Sequence, residues 1–241
     1  MIAKERLIFA LDVASRRAGE TLLDDGGLAR GLGMLKIGLE LFVAEGPGVV
    51  TLGAERNLPV FLDLKLHDIP ETVERAVGRA VDLGVRFLTV HASGGPKMLE
   101  RAVRRTEGSI TSIVAVTVLT SLDDADLAAT GVTRGTAEHA ALLAHAASLA
   151  GVRAFVCSPR EVSALRRALP APAALTFITP GVRLAGAASS DQKRTATAAE
   201  AIADGADYVV VGRPIRDAAK PADVATVMVR EIEEGLARRC V

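Results

Sequence analysis

The sequence contains no tryptophan, one tyrosine and six phenylalanines, so few aromatic side chains are present on which single-stranded bases could stack. It also lacks an excess of either charge, because 23 arginines and six lysines balance 29 acidic residues. Without a basic surplus, no bulk electrostatic attraction to nucleic acid or to anionic membranes is expected. These shortages argue against a nucleic-acid-binding protein.

Cysteines and long apolar runs are also scarce. Cys157 and Cys240 are the only cysteines and lie far apart, which gives no support for a disulfide framework. No stretch approaches the roughly 18 uncharged apolar residues of a membrane span. The run from Leu7 to Leu11 stops at Asp12, which makes it too short for a secretory signal. We therefore expect a cytoplasmic protein with no membrane segment.

The remaining composition, 49% hydrophobic and 24% charged, is typical of a globular protein. Short β-branched runs alternate with longer stretches of helical period along the whole chain, which predicts strand-helix units around a parallel sheet. The predicted strands begin at Leu7, Met34, Val60, Arg86, Ser112, Ala154, Leu175 and Tyr208. The predicted helices span 70–83, 95–106, 136–150, 159–169, 195–204 and 223–239.

Eight such units, with no linker or change in composition between them, match an α/β fold with a single (β/α)8 TIM barrel domain over residues 1–241. A doubly wound open sheet is the alternative. It would more often have fewer strands and a glycine-rich first turn. In a barrel, functional side chains follow the carboxyl ends of the strands, where the loops converge on one face.

Two of the six lysines, Lys36 and Lys65, lie in strongly apolar predicted strands. Alternation along a strand places Asp63 and Lys65 on one face, toward the barrel interior, and leaves the neighbouring leucines facing the helices. A carboxylate beside an ammonium group can stabilise developing negative charge and transfer a proton. The alternative is a buried ion pair that only stabilises the strand end. Adding Lys36 and Asp68 gives four alternating charges, a network too costly to desolvate for stability alone.

A second group of residues lies near the carboxyl terminus. A loop rich in glycine, alanine and serine between Gly181 and Gln192 precedes a helix, and the last predicted strand runs into Gly212 and Arg213. The loops after the seventh and eighth strands of such barrels commonly bind phosphate. The alternative is a mobile surface loop with a surface arginine.

A metal centre is not expected. His67 and His91 could be ligands together with Asp63 and Asp68, but the ammonium group of Lys65 would oppose a bound cation.

The run Asp63-Leu64-Lys65-Leu66-His67-Asp68-Ile69-Pro70-Glu71-Thr72 closely resembles the signature of the orotidine 5′-phosphate decarboxylase family, with its D-x-K-x-x-D core. The resemblance covers nearly the whole chain in order. It includes LIFALDV with Asp12, LKIGLELF with Lys36, VTVLTSL with Thr120, TPGVR with Arg183, SDQKR with Gln192 and VVVGRPI with Gly212 and Arg213.

The resemblance implies a homodimeric barrel enzyme that needs no cofactor and forms uridine 5′-phosphate (UMP) in pyrimidine synthesis. By the family pattern, the catalytic group is Lys65 as proton donor, Asp63 facing the leaving carboxylate, Lys36, and Asp68 from the partner subunit. The implied substrate contacts are Asp12 and Lys36 at the ribose, Thr72 from the partner, Thr120 at the pyrimidine, Gln192, Gly212 and Arg213 at the phosphate, and Arg183 in a lid.

Two alternatives stay open. Keto-gulonate phosphate decarboxylase and hexulose phosphate synthase share D-x-K-x-x-D, but they hold Mg²⁺ with an acidic residue where this chain has Lys36. A non-catalytic phosphate-binding barrel would bind ligand without turnover.

Overall fold

The computed structural model describes residues 1–184 and 196–239. Its eight strands are parallel and pair in chain order, and the last pairs with the first to close a barrel. The strands are β1 (Leu7–Ala10), β2 (Met34–Gly38), β3 (Val60–Leu66), β4 (Phe87–His91), β5 (Ser112–Val116), β6 (Ala154–Val156), β7 (Thr176–Thr179) and β8 (Tyr208–Val211). The prediction of a (β/α)8 barrel is confirmed, and each predicted strand is present.

Helices connect the strands on the outside of the barrel. They are α1 (Arg16–Asp24), α2 (Leu39–Glu45), α3 (Thr51–Ala54), α4 (Pro70–Asp82), α5 (Pro96–Arg105), α6 (Asp124–Ala129), α7 (Thr136–Leu149), α8 (Val162–Ala168), α9 (Ala198–Ala203), α10 (Arg213–Arg216) and α11 (Pro221–Arg239). The 3₁₀ segments are Ala3–Arg6, Asp25–Gly31, Pro47–Val50, Ala92–Gly94, Pro159–Glu161 and Pro172–Ala174. Helices α4, α5, α7, α8, α9 and α11 lie where helical periodicity predicts them, whereas α1, α2, α3, α6 and α10 were not predicted.

The hydrophobic core has two layers, which follow from the alternation of side chains along the strands. The inner layer fills the barrel with Ile8, Ala10, Met34, Phe61, Phe87, Val114, Ala154, Ile178 and Val210. The outer layer lies between the strands and the helices. It includes Leu62 of β3 and Leu88 of β4, whose side chains point away from the barrel interior. Leu64 and Leu66 pack against this outer layer, as the alternation predicts.

Helix α4 shows how the sequence places a helix on the barrel. Pro70 occupies its first turn, where a missing amide proton costs nothing. Val73, Val77 and Ala80 follow at helical spacing and are buried against the strands. The helix is therefore fixed directly after the charged end of β3.

The pairing of β3 with β4 changes register near the carboxyl end of the barrel. Leu62 pairs with Leu88, but Leu66 pairs with Val90. Between these two pairs, β3 therefore advances by four residues while β4 advances by two. Lys65 lies within this irregular stretch and has a φ of 50°, in the left-handed region. The regular strand predicted through Lys65 is therefore interrupted at the residues that carry charge.

Within the described ranges, no helix is both long enough and apolar enough to cross a membrane.

Candidate active site

A cavity of about 280 Å³ opens at the carboxyl ends of the strands. Its wall and floor carry both apolar and polar groups, the usual mixture in a small-molecule site. The apolar lining comes from Ala10, Phe61, Val116, Val118, Leu119, Val156 and Val210. Eight of the residues predicted for the site also line it: Asp12, Lys36, Asp63, Lys65, Thr120, Arg183, Gly212 and Arg213.

Four of these side chains form one chain of alternating charge. The ammonium nitrogen of Lys36 lies 3.0 Å from Asp12 Oδ1 and 3.5 Å from Asp63 Oδ2. Lys65 Nζ lies 2.8 Å from Asp63 Oδ1. The side chains of Lys36 and Asp63 are only 11% and 13% exposed, whereas that of Asp12 is 44% exposed. The charges therefore run from Asp12 at the cavity mouth through the buried Lys36 and Asp63 to Lys65, whose side chain is 29% exposed.

The fourth charge differs from the prediction. Sequence spacing grouped Asp68 with Lys36, Asp63 and Lys65, but the fourth member within this chain is Asp12. Asp68 follows the end of β3, is exposed, and its Oδ1 accepts a hydrogen bond of 2.6 Å from the amide of Ile69. The reason is that β3 ends at Leu66, so Asp68 belongs to the loop before α4 rather than to the strand.

Thr89 belongs to the same polar group, although no sequence prediction included it. Its hydroxyl donates a hydrogen bond of 2.9 Å to Asp63 Oδ1 and accepts one of 2.8 Å from the amide of Lys65. Its side chain is fully buried. A polar residue in the apolar run of β4 was the available signal, but threonine is also common in ordinary strands.

Two opposing effects act on the pKa of Asp63. Burial alone would raise it, but the ammonium groups of Lys36 and Lys65 and the hydrogen bonds from Lys65 and Thr89 hold the pKa below its usual value. The carboxylate therefore stays ionised at neutral pH. The cavity presents fixed positive charge on both sides of a fixed negative charge.

The opposite wall of the cavity comes from the segments after β7 and β8. Gly212 and Arg213 follow β8 directly, and Arg213 begins α10. Arg183 follows β7, and its amide donates a hydrogen bond of 3.0 Å to the carbonyl of Ala196. This bond joins the described residues on either side of residues 185–195, and the predicted Gln192 lies among those, outside the described residues.

Thr72 lies outside the cavity lining, as Asp68 does. It is an exposed residue in the first turn of α4. Neither side chain contributes to the cavity of its own chain.

The two histidines near the cavity form a ring contact. The rings of His67 and His91 are 5.5 Å apart between centroids. Burial, with the nearby His67 and Lys65, lowers the pKa of His91 and favours its neutral form. In the described part of the chain, no three side chains of histidine, cysteine, aspartate or glutamate form a group that could hold a metal ion.

The chain also matches a known protein family over most of its length. The profile of the orotidine 5′-phosphate decarboxylase / HUMPS family matches residues 5–227. The chain belongs to this family.

Relatives within the orotidine 5′-phosphate decarboxylase / HUMPS family match along almost their entire length. The orotidine 5′-phosphate decarboxylase of Anaeromyxobacter dehalogenans is 49% identical, over 98% of this chain and 100% of its own. That of Moorella thermoacetica is 45% identical, over 97% of this chain and 94% of its own.

A solved structure of an orotidine 5′-phosphate decarboxylase shares the fold. The crystal structure of orotidine 5′-phosphate decarboxylase from Lactobacillus acidophilus superposes with a TM-score of 0.81 and is 31% identical, covering 94% of this chain and 98% of that one. The charged chain from Asp12 to Lys65 therefore lies in a barrel of the family's own architecture.

Proposed function

We propose that Lys65 is the proton donor in the reaction of this enzyme, the decarboxylation of orotidine 5′-phosphate to UMP in pyrimidine biosynthesis. The observation that carries the proposal is the position of Lys65 Nζ in the cavity, 2.8 Å from Asp63 Oδ1 and on the far side of Asp63 from Lys36. Similarity to named orotidine 5′-phosphate decarboxylases over nearly the full chain supports this substrate.

The chemistry explains why fixed ammonium groups are needed. When the bond between C6 and the carboxylate breaks, CO₂ leaves and the electron pair stays on C6. No adjacent carbonyl can accept this pair, so the protein has to supply positive charge where it develops. Lys65 supplies that charge, then transfers a proton from Nζ to C6 and becomes a neutral amine. No cofactor enters these steps.

Asp63 contributes through its enforced charge. Its carboxylate is mostly buried, ionised, and held by Lys36, Lys65 and Thr89. In the proposed complex it faces the substrate carboxylate, so repulsion between the two is relieved when CO₂ departs. Lys36 and Asp12, the other two members of this series of charges, bind the ribose hydroxyls.

The other wall of the cavity is suited to the remaining parts of the substrate. Arg213 and the amide of Gly212 bind the phosphate, together with Gln192, and Arg183 belongs to a lid over it. Thr120 contacts the edge of the pyrimidine. Binding energy from the phosphate, remote from C6, can then be used to close the site and reach the transition state.

The family profile also covers the HUMPS enzymes. The charges of the site are therefore needed to choose between decarboxylation of orotidine 5′-phosphate and the HUMPS reactions. Lys36 lies within 3.5 Å of both Asp12 and Asp63. A divalent cation at these carboxylates would have to displace or face that ammonium group, which is electrostatically unfavourable. This observation favours orotidine 5′-phosphate over the metal-dependent reactions of the sugar phosphates.

The active unit is proposed to be a homodimer of single-domain barrels, in which Asp68 and Thr72 complete the partner's site. Both residues are exposed and lie outside the cavity of their own chain. Ile69, next to Asp68, is an exposed apolar side chain on the same segment.

The direct test is to incubate the purified protein with orotidine 5′-phosphate and follow the loss of the orotate absorbance. Turnover without added metal is expected. Turnover of a hexulose phosphate instead would indicate the HUMPS reactions. Binding of UMP without any turnover would indicate a phosphate-binding barrel.

A further inference from the structure

Thr89 lies where the pairing of β3 and β4 changes register. Leu62 pairs with Leu88 before the change and Leu66 pairs with Val90 after it. Thr89 is consequently opposite Asp63 when the first register is continued, and opposite Lys65 when the second is continued backwards. One residue of β4 therefore faces both charged residues of β3.

The hydroxyl of Thr89 uses its donor and its acceptor on those two residues. The amide of Lys65 can only donate, so the hydroxyl oxygen accepts that bond, at 2.8 Å. The hydroxyl therefore donates its own hydrogen bond to the ionised carboxylate of Asp63, whose Oδ1 is 2.9 Å away. The same Oδ1 accepts a hydrogen bond of 2.8 Å from Lys65 Nζ. A closed ring of contacts thus joins the hydroxyl, the Lys65 backbone, the Lys65 ammonium group and the Asp63 carboxylate.

The backbone at Lys65 needs such support. Its φ of 50° is unfavourable for a residue with a side chain and persists only where the surroundings hold it. The hydrogen bond from its amide to Thr89 is a contact that fixes this conformation, and Thr89 is itself immobilised by complete burial.

We infer that Thr89 is a positioning residue that holds Lys65 in its left-handed conformation and orients the Asp63 carboxylate for the reaction. It does not line the cavity, so it acts through these two residues rather than on the substrate. The inference rests on the proposed function and names the residue that sets the geometry of the proposed proton donor.

The test is Thr89→Val, which keeps the shape of the side chain and removes both hydrogen bonds. A small displacement of reacting groups can cost about 100-fold in rate, so we expect kcat for orotidine 5′-phosphate to fall by about 10- to 100-fold. KM and the affinity for UMP should change less than about twofold, because the phosphate contacts stay in place. Thr89→Ser retains the hydroxyl and should recover most of kcat.

Thr111→Val is the matched control. Thr111, just before the amino-terminal end of β5, is also buried. Its hydroxyl donates a hydrogen bond of 2.7 Å to the carbonyl of Val85. This variant should lose stability without a selective loss of kcat. Hydrogen exchange at the Lys65 amide, measured by NMR, adds a readout that does not depend on activity. Exchange should accelerate in Thr89→Val and stay unchanged in Thr89→Ser and Thr111→Val.

Equal kcat and equal Lys65 amide exchange in Thr89→Val and the wild type would overturn the inference while leaving the proposed function intact. Absence of wild-type turnover of orotidine 5′-phosphate would instead refute the proposed function, and the amide exchange would still test the positioning of Lys65. If Thr89→Val does not fold, Thr89→Ala replaces it in the same comparisons, and the same equality would overturn the inference.

Discussion

Arg216 Nη1 donates a hydrogen bond of 2.9 Å to the backbone carbonyl of Asp12, a residue 204 positions earlier in the chain. The same guanidinium group is held by two hydrogen bonds to the carboxylate of Asp217. Helix α10, which begins with the proposed phosphate ligand Arg213, is thereby joined to the loop that carries the proposed ribose ligand Asp12.

Replacing Arg216 with leucine should therefore loosen Asp12. We expect KM for orotidine 5′-phosphate to rise about 3- to 10-fold, the effect of losing one hydrogen bond of ordinary strength, with a smaller change in kcat. Steady-state kinetics would measure both. Arg238→Leu is the control, because Arg238 lies at the end of α11, where it forms an exposed ion pair with Glu234. An Arg216 variant with unchanged KM would show that Asp12 is positioned without it.

Lys65→Ala removes the proposed proton donor. We expect kcat to fall by at least about 10²- to 10⁴-fold, the usual contribution of a positioned general acid. Binding of UMP should remain measurable, because Arg213 and Gly212 are unaltered. Calorimetric titration with UMP beside the kinetic assay separates the two effects. Near-normal turnover by this variant would remove Lys65 from the role of proton donor.

The order of the strands, and the presence of Asp63 and Lys65 in the cavity, could be predicted from the pattern of residues along the sequence. Each strand is a short, mostly apolar run, and Asp63 and Lys65 both line the cavity as predicted, although the irregular pairing at Lys65 was not predicted. The short helices were harder to predict. Helix α1 spans only nine residues behind the capping side chain of Ser15, and a helix this short is marginal without the packing that the barrel supplies.

Local pattern could not predict how Lys65 and Thr89 come together. The left-handed φ of Lys65 occurs without a glycine, and the register change depends on pairing with β4, which is distant in sequence. Thr89 lies within a strand rather than at its end, so a search restricted to strand ends does not find it. Asp12 likewise joins the charged group only because closure of the barrel brings β1 beside β2.

Removal of metal should leave the reaction unaffected. Lys36 and Lys65 already neutralise the carboxylates of Asp12 and Asp63, so the site supplies its positive charge from its own side chains. We expect the same kcat before and after dialysis against EDTA. Loss of turnover that Mg²⁺ restores would instead indicate the metal-dependent sugar phosphate chemistry.

Arg213→Ala should act mainly on binding. Loss of a hydrogen bond to a charged group costs about 1.5 to 3 kcal/mol, which corresponds to about 10- to 100-fold in KM. The nucleoside orotidine, which lacks the phosphate, should react far more slowly than orotidine 5′-phosphate with the wild type. It should also lose little further rate on Arg213→Ala, because the arginine then has no phosphate to bind. An equal loss with both substrates would place Arg213 elsewhere in the mechanism.

The shared site of the proposed dimer can be tested by mixing inactive chains. Lys65→Ala chains and Asp68→Ala chains should each be nearly inactive alone. In a heterodimer, one site carries both defects and the other site is native, because Asp68 comes from the Lys65→Ala chain. Random exchange in an equal mixture makes about half of the dimers hybrid, so activity should rise toward about a quarter of the wild-type value.

Mixing Lys65→Ala with Asp63→Ala is the matched control, since both residues belong to one chain's cavity and every hybrid site is then damaged. Subunit exchange is verified by native mass spectrometry of chains of different mass. If hybrids form and the first mixture stays as inactive as the control, Asp68 serves its own chain and the shared site is refuted.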